Sequence, residues 1–173
     1  MLRRLVALVA LALIAFAQPA TAQVRLSFHS FNGSMFGRYP HAFIVLEGTL
    51  DATGQAVNEN YGYSAVTITP AVLVGPVPGM IYVEKPKYIQ STNRHFTVPI
   101  SDAQYHAIIA EKDRWAHAPY LLDTHNCTHF VAKIAEMVGL QHTAVPRDLV
   151  RKPKAWLNLV ARENPQLRAR QIP

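Results

Sequence analysis

Between Val24 and Phe31 the chain alternates, with Val24, Leu26 and Phe28 on one side and Arg25, Ser27 and His29 on the other, the period of a half-buried strand. Asn32, Gly33, Ser34 and Gly37 break that pattern, and a second strand, His41 to Glu47, runs into Gly48. Asp51 to Gly54 reads as a turn, so Val57 to Thr69 is expected to return as the antiparallel partner of the second strand. Pro70 to Gly79, with three prolines and two glycines, reads as a loop. Met80 to Glu84 and His95 to Ile100 are two further short strands.

From Ser101 onward the period becomes helical. Ser101 and Gln104 have the spacing of a capping box, and a helix to about Trp115 should follow. A second helix begins at Cys127 and stops at Gly139, where a residue without a side chain suits the left-handed C-cap. Pro153 opens a third, which ends near Glu163 before Pro165. Strands first and helices afterwards imply an α+β fold, with helices packed on one side of an antiparallel sheet.

The first 22 residues do not belong to that fold. Arg3 and Arg4, an apolar run from Leu5 to Ala17, and the triplet Ala20, Thr21, Ala22 read as a signal peptide cleaved after Ala22. The apolar run is shorter than the ~20 residues of a spanning helix, so no stable membrane span is expected after cleavage. The expected product, residues 23–173, is one domain in the periplasm or secreted. It keeps 15 basic against 11 acidic residues, a charge of +4. Seven of the basic residues fall in the last 27 positions, a tail that reads as solvated surface. Nucleic acid is not an expected partner, and the sequence does not speak to oligomeric state.

A single cysteine cannot form an internal disulfide, and an oxidising compartment disfavours idle thiols. Cys127, Phe130, Val131, Ile134 and Val138 share one helical face, so the sulfur lies on the core stripe at the first turn. Free N–H groups and the dipole there favour an anion, and the thiol pKa is expected to fall towards neutrality. Such a nucleophile needs a base. Of the eight histidines, His41, at the head of an apolar strand, is best sited to face a helix N-terminus.

Around these two residues the chain resembles a known group. Asn126-Cys127-Thr128-His129-Phe130-Val131 is close to the Asn-Cys-Glu-His-Phe-Val motif of the lecithin retinol acyltransferase group, and His41-Ala42-Phe43-Ile44-Val45-Leu46 is similar to its histidine strand. More broadly, residues 37 to 140 resemble a circularly permuted papain-like domain related to NlpC-type cell-wall peptidases. The resemblance implies that Cys127 attacks a carbonyl, that His41 shuttles the proton, and that the Cys127 N–H helps hold the oxyanion. It implies a peptide or amide substrate, by analogy cell-wall peptide, and no cofactor. Thr128 stands where the acyltransferases carry glutamate.

The residue that would orient His41 is left open. The return through the turn puts Tyr63, Ser64 or Ala65 opposite His41, and a bulge at Gly62 would change which faces inward. Asn58, Glu59 and Asn60 have better chemistry but lie off the simple register, and Asn60 is the choice on chemistry. Tyr61 and Tyr63 are cleft-wall candidates. Three rival readings stand beside the hydrolase: an acyltransferase on the same scaffold, a zinc site from His125, Cys127 and His129 if that segment were extended, and a binding module that keeps Cys127 as a core residue.

Overall fold

The computed structural model of the chain describes residues 24–33 and 39–173; the expected leader, and the break at Ser34 and Gly37, lie outside the described residues. Six strands form one antiparallel sheet: β1 (Val24–Phe31), β2 (His41–Thr49), β3 (Ala56–Ala65), β4 (Val77–Tyr82), β5 (Asn93–Ile100) and β6 (Pro119–Tyr120). Their order across the sheet is β5-β1-β2-β3-β4-β6. Among the described residues four helices accompany them: α1 (Pro86–Ile89), α2 (Asp102–Trp115), α3 (Cys127–Met137) and α4 (Pro153–Glu163). The fold is α+β, as the order of patterns implied.

The helix starts follow local chemistry. At α2 the Ser101 hydroxyl accepts from the Gln104 N–H at 3.3 Å while the Gln104 side chain accepts from the Ser101 N–H at 3.1 Å, so two otherwise orphaned donors are satisfied. Pro153 takes a first-turn position in α4, where its missing N–H costs nothing. Gly139, at φ +82°, ends α3 in the left-handed conformation.

Strand alternation directs Leu26, Phe28, Ile44 and Leu46 to one face, where they are fully buried with Phe130 and Ile134 of α3 and Trp156 and Leu157 of α4. Each such side chain contributes about 1.5–3 kcal/mol relative to exposure. The helices α2, α3 and α4 pack here. The opposite face is also covered. Because β4 and β5 are far apart in the sheet, the connection Val83–Thr92, which includes α1, crosses that outer face. Its ends are held by outward-facing side chains: Asn60 binds the backbone of Glu84, and His29 Nδ1 lies 2.9 Å from the Thr92 hydroxyl. Phe43 and Val45, which point outward from β2, are therefore buried too, at 0% and 5% exposure.

The sequence reading differs at the edges. β3 stops at Ala65 and not Thr69, since Pro70–Leu73 form a short 3-10 turn, and β4 starts at Val77 within the expected loop. A bulge in the β1–β5 pairing between Phe28 and His29 sets His95 beside Ser30, inside the helical face. Among the described residues no helix is long and apolar enough to cross a membrane.

Candidate active site

Cys127 is the first residue of α3, and its position is fixed by the residue before it. Asn126 is the N-cap: its side-chain oxygen accepts from the N–H groups of Thr128 at 2.9 Å and His129 at 3.3 Å. Its amide nitrogen donates to the carbonyls of Leu122 at 2.6 Å and Val150 at 2.9 Å. Every polar atom of this buried side chain is engaged, so the start of α3 cannot rotate without breaking the set.

The sulfur lies on the helical face of the sheet, where it meets the backbone N–H of Ala42. The paired residues of β2 and β3 end at Phe43 and Gly62, so the two strands part at Ala42, and the sulfur occupies the fork. Ala42 N–H, the N–H groups of Cys127 and Thr128, and the Thr128 hydroxyl all draw the thiol pKa down, but burial pushes it up by more. The expectation of a thiol acidified by the helix start is thus corrected. The same apolar stripe that aims the sulfur into the fold removes the water a thiolate needs.

His41 begins β2 on the other face of the same fork. Its ring stands over Gly62: a β-carbon at that position would come within 2.4 Å of His41 Nε2 and 3.2 Å of Phe43 Cβ. Phe43 lies beside it at 6.3 Å between ring centres and Tyr82 edge-on at 6.2 Å. Cys127 and His41 therefore approach one opening from opposite faces, and the peptide unit linking His41 to Ala42 is the one that touches the sulfur. Both residues line a cavity of about 660 Å³ that wraps around the end of the sheet, bounded further by Tyr63, Ala65, Leu73, Tyr120 and Val150.

Comparison of the chain with protein-family models, with curated proteins and with solved structures finds no match in any of the three.

Asn60 does not reach His41. It pairs with Val45, four residues from His41 and so about 13 Å along the strand. Its amide instead clamps a backbone: Asn60 Nδ2 donates to the Glu84 carbonyl at 3.1 Å and the Glu84 N–H donates to Asn60 Oδ1 at 2.7 Å. The β2–β3 register extends to Ser64 opposite His41, but the strands have already separated there. Glu59 faces the helical side and accepts from Tyr61 and Tyr105. Tyr63 borders the cavity but is packed against Trp115, Tyr120 and His125, and its hydroxyl donates to the Ala118 carbonyl at 2.7 Å.

Glu84 is the residue the sequence reading missed. It lies two residues beyond the end of β4, with its backbone held by Asn60 on the outer face of the sheet. Glu84 is only 3% exposed and borders the same cavity as His41 and Cys127. An acidic residue just after a strand, facing the outward polar run of Asn60, Gly62 and Ser64, was the available signal.

The zinc arrangement does not form. The His125 ring is stacked on Trp115 at 3.8 Å between centres, His129 Nδ1 lies 3.0 Å from Asn126 Oδ1, and Cys127 turns to Ala42. Among the described residues no three His, Cys, Asp or Glu side chains are grouped to hold an ion.

Proposed function

We propose that the chain is an exported thiol hydrolase that cleaves an amide or peptide bond, on a circularly permuted papain-like scaffold, with Cys127 as nucleophile and His41 as general base. The observation that carries this reading is the fork itself: the only cysteine rests on the peptide bond that follows His41, and both open into one cavity.

The Nε2 edge of His41 faces Gly62; in this reading Glu84, which borders the same cavity, lies towards that edge and Nδ1 takes the thiol proton. In this reading Glu84 is a positioning residue that fixes the imidazole and stabilises its protonated form, and Asn60 holds Glu84 in turn. His41 removes the thiol proton as the sulfur attacks the carbonyl carbon. The resulting oxyanion is held by the Cys127 N–H at the first turn of α3. The C–N bond breaks as His41 returns the proton to the departing amine, leaving a thioester. Water, deprotonated by His41, then attacks the thioester and releases the acid and the thiol. A buried thiol with a raised pKa suits this order of events, because the proton leaves only when His41 accepts it.

Two measurements test the reading. An N-acyl p-nitroanilide should release one equivalent of nitroaniline in a burst, with the acyl mass found on Cys127 by mass spectrometry, and Cys127→Ser should abolish both. Iodoacetamide labelling of the resting protein should rise only above the pH range of free cysteine. A Cys127 that neither acylates nor labels at any pH would leave a binding module as the better reading.

A further inference from the structure

We infer that the cleft over Cys127 accepts an uncharged, apolar chain, so that the bond cleaved joins such an acyl group to its leaving group. This inference rests on the reading of Cys127 as nucleophile and adds the substrate class.

Three observations support it. First, the cavity of about 660 Å³ has the size of a small-molecule site, and most of its surface is apolar, with Ile68, Val72, Leu73, Leu122 and Val150 among the lining residues beside fewer polar groups such as Ser64, Thr69 and Thr128. Second, the border carries few charges. Arg151 is held by both oxygens of Asp123, at 2.7 and 2.8 Å, and Glu84 is 3% exposed on the outer-face crossover. Among the described lining residues there is no other lysine or arginine. A substrate carrying several carboxylates, as an acidic wall peptide does, would find one exposed arginine, itself paired with Asp123, to meet them, and burying an unpaired carboxylate is costly.

Third, the lip of the cleft is apolar and wet. Ile68 and Leu73 border the cavity at 52% and 67% exposure, and Val66 and Val74 beside them stand at 55% and 88%. The 3-10 turn Pro70–Leu73 has no buried residue, so this stretch is not folded onto the core. Exposed apolar side chains grouped at the rim of a pocket mark a surface that loses water when a ligand arrives. A chain lying from the sulfur out along Val72 and Leu73 would cover it.

The test uses alkylation of Cys127 by iodoacetamide and by its N-butyl and N-octyl derivatives, each monomeric, at one fixed pH. In every case sulfur bonds to the methylene carbon and iodide leaves, so chain length changes only the non-covalent contacts. Rates are divided by those of the same reagents with a free cysteine derivative. The normalised octyl rate should exceed the parent rate at least tenfold, against a ceiling of about fourfold per fully buried methylene. Ile68→Asp and Leu73→Asp, both on exposed side chains, should each bring that ratio back towards one. Equal normalised rates would overturn the inference. So would a faster reaction with iodoacetyl-alanyl-glutamate, which favours a wall peptide, or an octyl advantage seen only above the reagent's micelle concentration. A thiol inert to all the reagents at every pH would instead defeat the nucleophile assignment, and the inference with it.

Discussion

His95 and His41 stand in opposite surroundings within one sheet. His95, on β5, lies 2.8 Å from the Ser30 hydroxyl through Nε2 and 3.1 Å from Asn158 Oδ1 through Nδ1. On paper that hydroxyl, imidazole and amide chain is the better catalytic constellation. Yet Ser30 is 0% and His95 4% exposed, and neither borders the cavity of Cys127. The chain's purpose is visible in what else Asn158 holds: it donates to the Ile172 carbonyl at 2.7 Å and accepts from the Ile172 N–H at 3.1 Å, tying the C-terminal segment to α4. His41 opens into the cavity that holds the thiol. Aligned hydrogen bonds without access make structure; a looser pair facing open space is where a substrate can react.

The sharpest separation of the two regions comes from alanine at each histidine. His41→Ala should lower amide turnover by about 10²- to 10⁴-fold with little change in melting temperature. His95→Ala should leave turnover within about twofold and cost about 1–3 kcal/mol of stability, since Ser30 and Asn158 lose a buried partner. Steady-state rates and thermal unfolding of both variants would reverse the assignment if the effects came out exchanged.

Acid should act on the sealed region next. Burial holds both His29 and His95 at about 4, against 6.5 for an unperturbed histidine. Above 6.5 both are neutral whether the chain is folded or not. As pH falls from 6.5 towards 4 the unfolded chain binds protons that the fold refuses, so stability should drop through that window and level off below it. The loss is about 3 kcal/mol for each histidine at most. Urea titrations between pH 7 and pH 4 measure it, and a flat profile would mean these rings are not held neutral.

A smaller effect is expected at Gly62, where an added β-carbon meets the tip of the His41 ring at 2.4 Å. Gly62→Ala should displace the imidazole and reduce turnover by about 10²-fold or less, with the fold retained. Gly79→Ala is its counterpart. There the β-carbon would meet the Tyr63 hydroxyl at 2.1 Å and the Ala118 carbonyl at 2.6 Å, and backbone cannot swing aside, so melting temperature should fall. The smallest change should follow Asp123→Asn, which breaks an exposed ion pair and should leave the melting temperature within error at moderate salt.

Much of this fold was legible in residue order. The alternation of β1, the capping box at Ser101 and Pro153 at the head of α4 each specify their element locally, through side-chain period or an orphaned N–H. What was not legible is the route of Val83–Thr92, because periodicity does not say which face a connection crosses. A trace of it was present: Ala42 to Leu46 is apolar without alternation, the mark of a strand buried on both faces. Missing that route meant missing Glu84 and choosing Asn60, which has the right chemistry on the wrong rung. The thiol followed the same logic. Helix start and core stripe were both visible at Cys127, but only packing decides that lost hydration outweighs the dipole.

Trp115 and His125 lie face to face, 3.8 Å between ring centres and 5° from parallel, with Tyr63 edge-on between them and the cavity. An imidazolium on an indole face withdraws excited-state charge and dims its fluorescence, whereas a neutral ring does so far less. The other tryptophan, Trp156, is sealed at 0% exposure in α4 and supplies a constant background. The protein thus carries its own optical gauge beside the cleft: a chain that enters and nudges Tyr63 or His125 would change the emission of Trp115, with no label attached.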